Sequence, residues 1–507
     1  MSVYKLNVFT CRAVWKCKAF SSRNMHLLQD KAFVNGRWIA AASNNTFQVT
    51  NPADGCVIGV VPDMNTADVQ QAIGAAKSAF DSWQNTTAKE RGKILRKWFD
   101  LMEQNGDELA KIMTAESGKP ITESKGEVVY GNSFIDLYAE EARRINGEII
   151  QSPMPSKKIL IERQPIGVAA LITPWNFPHA MITRKAGAAL AAGCTVVVKP
   201  AEDTPLTALA LAKLAEEAGV PQGVFNVITC DRQNASDVGN LLCTSDDVAG
   251  VSFTGSTAVG KILYKQCAQG IKRLGLELGG NAPLVVFDSA NLAVAVNGTM
   301  ASKFRNCGQT CVSANRLLIQ SKIYDTYVDE LSKAIKGLKQ GRGDEAGVTA
   351  GPLINKAQFD KVSALVKDAL DKGAKAVVGG KPAPQLGDLF YEPTMLVNVT
   401  SDMRVYNEEV FGPIATVLKF ETEEEGIKIA NSTNSGLAGY FFSEDVNQIF
   451  RVARKMEVGM VGVNEGLISC AEAAFGGIKE SGLGREGSHH GIEEYTYYKY
   501  VCVGNLN

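Results

Sequence analysis

Histidine is scarce in this chain: only four occur in 507 residues, and two of them are the adjacent pair His489 and His490. Zinc sites and histidine-based triads have little to build on, so any catalytic base is expected to be a carboxylate and no metal site is expected. No C-x-x-C occurs among the eleven cysteines, and the closest useful pair is Cys307 and Cys311. That spacing argues against both a metal ribbon and a disulfide scaffold. Long apolar runs are missing too, since the most apolar stretch, 186–198, ends at Lys199. A membrane span needs about 18 or more such residues, so none is expected. The net charge of −1 gives no electrostatic reason to expect a nucleic-acid partner.

What is present is length, glycine and a mixed interior. At roughly 150 residues per domain the chain suggests two to four domains. Its 45% apolar and 21% charged content with 48 glycines fits a soluble α/β enzyme. Residues 1–29 stand apart, with Lys5, Arg12, Lys16, Lys18 and Arg23, no acidic residue, and Ser21 and Ser22 near the end. That balance is expected of a mitochondrial transit peptide, which points to the matrix.

Patterning then divides the chain. Phe33 to Trp38 and Phe47 to Val61 read as short strands around turns, and Thr66 to about Ser117 has helical spacing. Glu148 to Ile150 and Ile159 to Ile161 read as a hairpin joined by a Pro-containing loop. From Gly167 strands and helices alternate: a strand to Ile172, a helix Ala180 to Ala191, Thr195 to Lys199, a helix Thr204 to Ala218, and Phe225 to Ile228. A second series has strands near Pro283 to Phe287, Arg316 to Ile319 and Ala376 to Val378. Alternation of this kind predicts parallel doubly wound sheets, hence two α/β domains. The segment Tyr495 to Val503 is aromatic and β-branched, suited to pair with the hairpin or with a partner subunit.

Four short segments carry candidate chemistry. Thr254-Gly255-Ser256-Thr257-Ala258-Val259-Gly260 joins a strand to a helix expected from Lys261 to about Gln269, a turn whose amides can approach a phosphate. Thr257 takes the middle glycine of G-x-G-x-x-G, so alone the motif is weak. Gly308-Gln309-Thr310-Cys311 supplies a thiol at a polar turn; a buried structural cysteine is the competing reading. Glu277 sits in the apolar strand Leu276-Glu277-Leu278, where burial would raise its pKa toward a general base's range, unless it belongs to a buried ion pair. Asn176, between Pro174 and Pro178, offers an amide to a developing oxyanion.

Pro174-Trp175-Asn176-Phe177-Pro178, Lys199-Pro200-Ala201-Glu202, Phe253-Thr254-Gly255-Ser256, Glu277-Leu278-Gly279-Gly280, Gly308-Gln309-Thr310-Cys311 and Glu409-Val410-Phe411-Gly412-Pro413 occur in an order and spacing that resembles the aldehyde dehydrogenase superfamily. The resemblance runs from about residue 31 to the C-terminus. Ala301 to Asn306 and Gly482 to Ser488 make it most similar to the superfamily's mitochondrial succinate-semialdehyde-oxidising branch.

The resemblance implies an α/β fold of two Rossmann-like domains with a small β oligomerisation element. It places an NAD-binding domain at 30–142 and 166–279, a catalytic domain at 280–480, and oligomerisation elements at 143–165 and 488–507. It implies oxidation of succinate semialdehyde to succinate, a step of 4-aminobutyrate degradation. Another aldehyde or semialdehyde is the alternative, and a non-catalytic protein of the same fold a remoter one. Cys311 would attack the aldehyde, Asn176 with the Cys311 amide would hold the oxyanion, and Glu277 would activate water against the thioester. Trp175, Lys199, Pro200, Ala201, Glu202, Gly255, Ser256, Thr257, Gly260 and Glu409 would bind NAD. NADP is disfavoured because a carboxylate at the ribose repels a 2′-phosphate. Arg184, Arg305 and Ser469 would grip the substrate carboxylate, which guanidinium forks suit. A homodimer or homotetramer is implied.

Two positions depart from the pattern. Ser313 stands where such enzymes commonly carry a second cysteine, so a disulfide through that position is excluded. Ala474 stands where proline is frequent before Phe475, so the loop bearing Ser469 is expected to be less rigid.

Overall fold

The computed structural model describes residues 25–506, so residues 1–24, most of the expected leader 1–29, lie outside the described residues. The last five residues of that expected leader belong to the folded body. Leu27 is buried and its amide donates to the Glu108 carboxylate at 2.7 Å.

Two sheets organise the chain. The first has eight strands in the order Arg37–Ile39, Ala32–Val34, Phe225–Val227, Thr195–Lys199, Val168–Ile172, Val248–Thr254, Arg273–Glu277, Gly482–Leu483. Its five central strands run parallel, and the short edge strands are antiparallel. The central strands are apolar at successive positions because both faces are covered: Val168, Ala170 and Ile172 pack on one side, Ala169 and Leu171 on the other. The second sheet has seven strands: Lys375–Val378, Thr394–Val397, Ile414–Phe420, Ala314–Gln320, Ala282–Val286, Ala438–Phe442, Met460–Val463. Val285 and Leu284 again face opposite cores. The strand expected at Ala376 to Val378 pairs antiparallel at the sheet edge, where its outward residues stay exposed.

The hairpin and the C-terminal strand form a third sheet. Thr496–Val503 pairs antiparallel with Lys158–Pro165 along its whole length, and Glu148–Ile150 adds the far edge. Its exposed residues include Ile149, Tyr498 and Tyr500.

In the first sheet, the chain moves from Val168–Ile172 to one side, then returns to place Val248–Thr254 on the other. At such a switch point the loops after adjacent strands diverge and open a crevice at the carboxyl ends. Those ends face the amino ends of the second sheet, because only Leu278–Asn281 separates Arg273–Glu277 from Ala282–Val286. Cys311 and Glu409 precede the strands Ala314–Gln320 and Ile414–Phe420 and enter the same gap.

Two helices back the loop that carries Asn176. Ile121–Glu141 packs against Ala180–Ala192, and the approach is close because Gly131 faces the buried His179 ring. A Cβ at Gly131 would lie 2.0 Å from His179 Cδ2. Gly131→Ala is therefore expected to lower stability by about 1–3 kcal/mol through overpacking, read as a reduced midpoint of thermal or denaturant unfolding. An unchanged midpoint would show that the helices separate freely.

Candidate active site

The expected site residues sit at the ends of strands and helices or on the short loops that join them. Helix Leu292–Phe304 ends in a kink where Asn306 and Cys307 take φ of 50° and 52°. Asparagine tolerates this left-handed conformation better than most residues, and its amide is held by the Glu123 carboxylate at 3.0 Å. The kink returns the chain to Cys311, which is half-buried. Cys307 does not share that environment: it is buried and its thiol donates to the Gly351 carbonyl at 3.0 Å. Cys470 is exposed.

Burial pushes the Cys311 thiol up to about 12, with Glu409 and Glu277 adding to the rise and Arg184 opposing it. Glu277 ends its strand only 2% exposed, with neither carboxyl oxygen hydrogen-bonded. Burial and the neighbouring Glu486 raise its pKa well above the carboxylate range, against Arg184, Lys185 and Arg485. Asn176 is buried, and its Nδ2 donates to the Gln309 carbonyl at 3.1 Å. A primary amide has two donors, so one hydrogen remains.

A cavity of 210 Å³ opens on Cys311 and Asn176, lined also by Trp175, Gly255, Ser256, Glu409 and Phe411, while Glu277 lines a smaller neighbouring one with Arg184 and Glu486. Trp175 and Phe411 meet edge to face at 5.4 Å and form an aromatic wall. Helix Thr257–Cys267 begins four residues earlier than its spacing predicts, because Ser256 caps it by accepting from the Val259 amide. Ser256, Thr257 and Gly260 are thus the cap and first turn, where free amides favour a phosphate. Gly260 is required there: a Cβ would come within 2.4 Å of the Leu278 side chain. Glu409 accepts from the Gly280 amide at 2.9 Å, and burial lifts it to about 7.

Farther along, Lys199 is buried as the last residue of its strand, with Pro200 and Ala201 leading to Glu202. Burial works to raise the Glu202 carboxyl, but Lys199 and Arg232 outweigh it and hold the group below its ordinary value. Arg232, which sequence reasoning missed, bonds Glu202 at 3.0 Å. An aromatic slot, a capped helix start and a ribose-directed carboxylate are together the donor set that a nicotinamide dinucleotide needs, so these residues fit one.

Of the residues expected to bind a carboxylate, Arg184 is engaged: it is buried, ion-paired with Glu486, and stacked over Phe475 at 4.7 Å. Burial alone would lower its pKa, but Glu486 overrides this and keeps it charged. Lys185 pairs with the same carboxylate. Arg305 differs. Its guanidinium lies 5.2 Å from the Phe177 ring centre and has no ion pair among the described residues. Ser469 is half-buried on the loop that follows Met460–Val463. Glu486 was within reach of sequence reading, in the segment Gly482 to Ser488, but nothing local marks it as the partner of a helix 300 residues away.

Residues 38–501 match the model of the aldehyde dehydrogenase family. The chain is 57% identical to the human protein named succinate-semialdehyde dehydrogenase, mitochondrial, over 95% of this chain and 89% of that one. It is 53% identical to a glutarate-semialdehyde dehydrogenase of Pseudomonas aeruginosa, over 96% and 99%. A crystal structure described as an E. coli NADP dependent enzyme superposes with TM-score 0.93 at 51% identity, over 94% and 98%.

The raised thiol pKa sets the first chemical expectation. Without ligands, alkylation of Cys311 by iodoacetamide should climb about tenfold per pH unit between pH 7 and 9, because only the thiolate reacts. Peptide mapping of the modified residue checks this, and a plateau below pH 8 would contradict it.

Proposed function

The chain belongs to the aldehyde dehydrogenase family, and from that premise we propose that it oxidises succinate semialdehyde to succinate. The observation that carries this reading is the guanidinium of Arg305, which lies beside Phe177 in the field of the Glu123 carboxylate but makes no ion pair within 4 Å among the described residues. A guanidinium without an ion pair, beside the ring of Phe177 that follows Asn176 in the chain, suits an anionic group on the substrate. The named substrates of the human and Pseudomonas relatives both carry a carboxylate remote from the aldehyde.

The geometry supports the following sequence. The Cys311 thiol gives up its proton to solvent as the sulfur bonds to the aldehyde carbon, and the carbonyl electrons move to oxygen, which the free hydrogen of Asn176 Nδ2 and the Cys311 amide stabilise. The sulfur takes a proton back when the C–S bond later breaks. A bound nicotinamide dinucleotide supplies the acceptor for the hydride that leaves this carbon, so the thiohemiacetal becomes a thioester. Glu277, when ionised, takes a proton from water as the water oxygen attacks the acyl carbon. The C–S bond breaks, the acid departs and the thiol is restored. Its raised pKa suits Glu277 to take up that proton and then pass it to solvent.

For the cofactor we favour NAD, through the repulsion between Glu202 and a 2′-phosphate, although Arg232 offsets part of that charge. We propose that the basic, acid-free N-terminal segment is a matrix-targeting leader by its composition, and that the folded body begins no later than the buried Leu27. The exposed Ile149, Tyr498 and Tyr500 favour covering of the third sheet by a second copy, in a dimer or tetramer.

Reduction of NAD on addition of succinate semialdehyde tests the activity. Cys311→Ser should abolish turnover, whereas Glu277→Gln should accumulate a trapped acyl-enzyme seen as a mass increase on Cys311. Turnover by Cys311→Ser would end the proposal.

The two arginines are expected to separate. Arg305→Ala should lower kcat/KM for succinate semialdehyde by about 2–4 kcal/mol, roughly 30- to 1000-fold, with little effect on uncharged aldehydes. Arg184→Ala should depress both substrate classes, because it frees Glu486 to act on Glu277. Kinetics with a charged and a neutral aldehyde decide this. Equal losses for the two classes in Arg305→Ala would defeat the substrate assignment.

A further inference from the structure

Behind the Asn176 loop lies a buried cation with no part in the roles above. The side chain of Lys119 is 1% exposed, as is that of its partner Glu127. Its Nζ donates to Glu127 Oε2 at 2.5 Å and to the Asn176 backbone carbonyl at 2.6 Å, and it lies 4.4 Å from the Phe177 ring centre. The same carbonyl accepts a second bond, at 3.0 Å, from Asn306 Nδ2. The other Glu127 oxygen accepts from the His179 amide at 2.9 Å and more weakly from that of Ala180 at 3.4 Å. Both ends of the segment 176–180 are therefore tied to one ion pair.

The consequence falls on the Asn176 side chain. A carbonyl with two donors, one of them charged, cannot rotate its peptide plane without stranding a buried ammonium, and that loss is costly. A fixed peptide plane holds the Asn176 Cα–C bond, and with His179 and Ala180 tied to Glu127 it narrows the range of directions open to the Cα–Cβ bond. With one amide hydrogen committed to Gln309, the other is held in a single direction. Stability alone does not call for such a pair, since a well-packed apolar pair often serves as well in a protein interior.

We infer that Lys119 and Glu127 are positioning residues, an ion pair that locks the Asn176 peptide and keeps its free amide hydrogen aimed at the developing oxyanion. This rests on the oxyanion role of Asn176 proposed above. Displacing a catalytic donor by about 1 Å costs on the order of 100-fold, and losing it costs about 100- to 1000-fold.

A double-mutant cycle tests the inference. Lys119→Met should lower kcat by about 10- to 100-fold, leaving KM for the aldehyde within about twofold. Iodoacetamide alkylation of Cys311 should be unchanged, as a generally loosened site would not allow. Lys119→Arg, which keeps the charge, should recover part of the loss. In an Asn176→Ala background, Lys119→Met should cost less than about threefold, since the donor it aims is already gone. Losses that multiply across the two sites would overturn the inference. If Lys119→Met does not fold, Glu127→Gln completes the same cycle with the same criteria. An Asn176→Ala enzyme of undiminished kcat would remove the oxyanion role itself and this inference with it, while the requirement for Cys311 would stand.

Discussion

The Glu277 carboxyl ends a parallel strand, buried and with both oxygens free of protein hydrogen bonds, and an ionised carboxylate in that position is disfavoured by several kcal/mol. The protein answers with fields rather than contacts. Arg184 and Lys185, on helix Ala180–Ala192, lower the cost of ionising Glu277, while Glu486 between them prevents full neutralisation. A direct ion pair would have pinned the carboxylate in its charged form and made it a poor base. Left near two cations that belong to another acid, it can hold or release a proton.

That arrangement requires the end-to-end placement of the two sheets. Glu277 comes from the carboxyl end of the first, and Cys311 from the amino end of the second. Glu486 comes from the segment that follows the antiparallel edge strand Gly482–Leu483, whose pairing with Leu276 and Glu277 returns the chain to the first sheet. Residues more than 200 positions apart thus share one low-dielectric volume. Interactions there are stronger than at the surface and less forgiving of displacement.

Much of this was legible in the sequence, and the limits have physical causes. Parallel strands buried on both faces read as apolar runs, so Val168–Ile172 and Thr195–Lys199 fall where alternation with helices predicts them. The start of helix Thr257–Cys267 was misplaced because capping by Ser256 admits Thr257 to Gly260 into the first turn, despite the glycine. The chain after Gln29 was read as the start of the body, yet Leu27 is already inside, since a single buried side chain leaves no periodic signal. The motifs brought Cys311, Asn176, Glu409 and Trp175 to one cavity, as expected. Their partners could not be read. Lys119 and Glu127 look like an ordinary helix-flanking pair, and only the packing of two helices turns them toward the Asn176 carbonyl. Arg184 and Arg305 look equivalent as residues, but one is consumed by Glu486 and the other is not.

Charge pairing bears in the same way on the cofactor. A lone carboxylate at the adenosine ribose would exclude a 2′-phosphate by repulsion. Glu202 is not alone: Arg232, at the start of helix Arg232–Thr244, neutralises part of its charge from a largely exposed position. An exposed ion pair is worth little and opens easily, so the guanidinium is free to turn from the carboxylate to a phosphate. Were NAD the cofactor, as proposed, repulsion by Glu202 would set that preference, and the exposed Arg232 would set how strict it is.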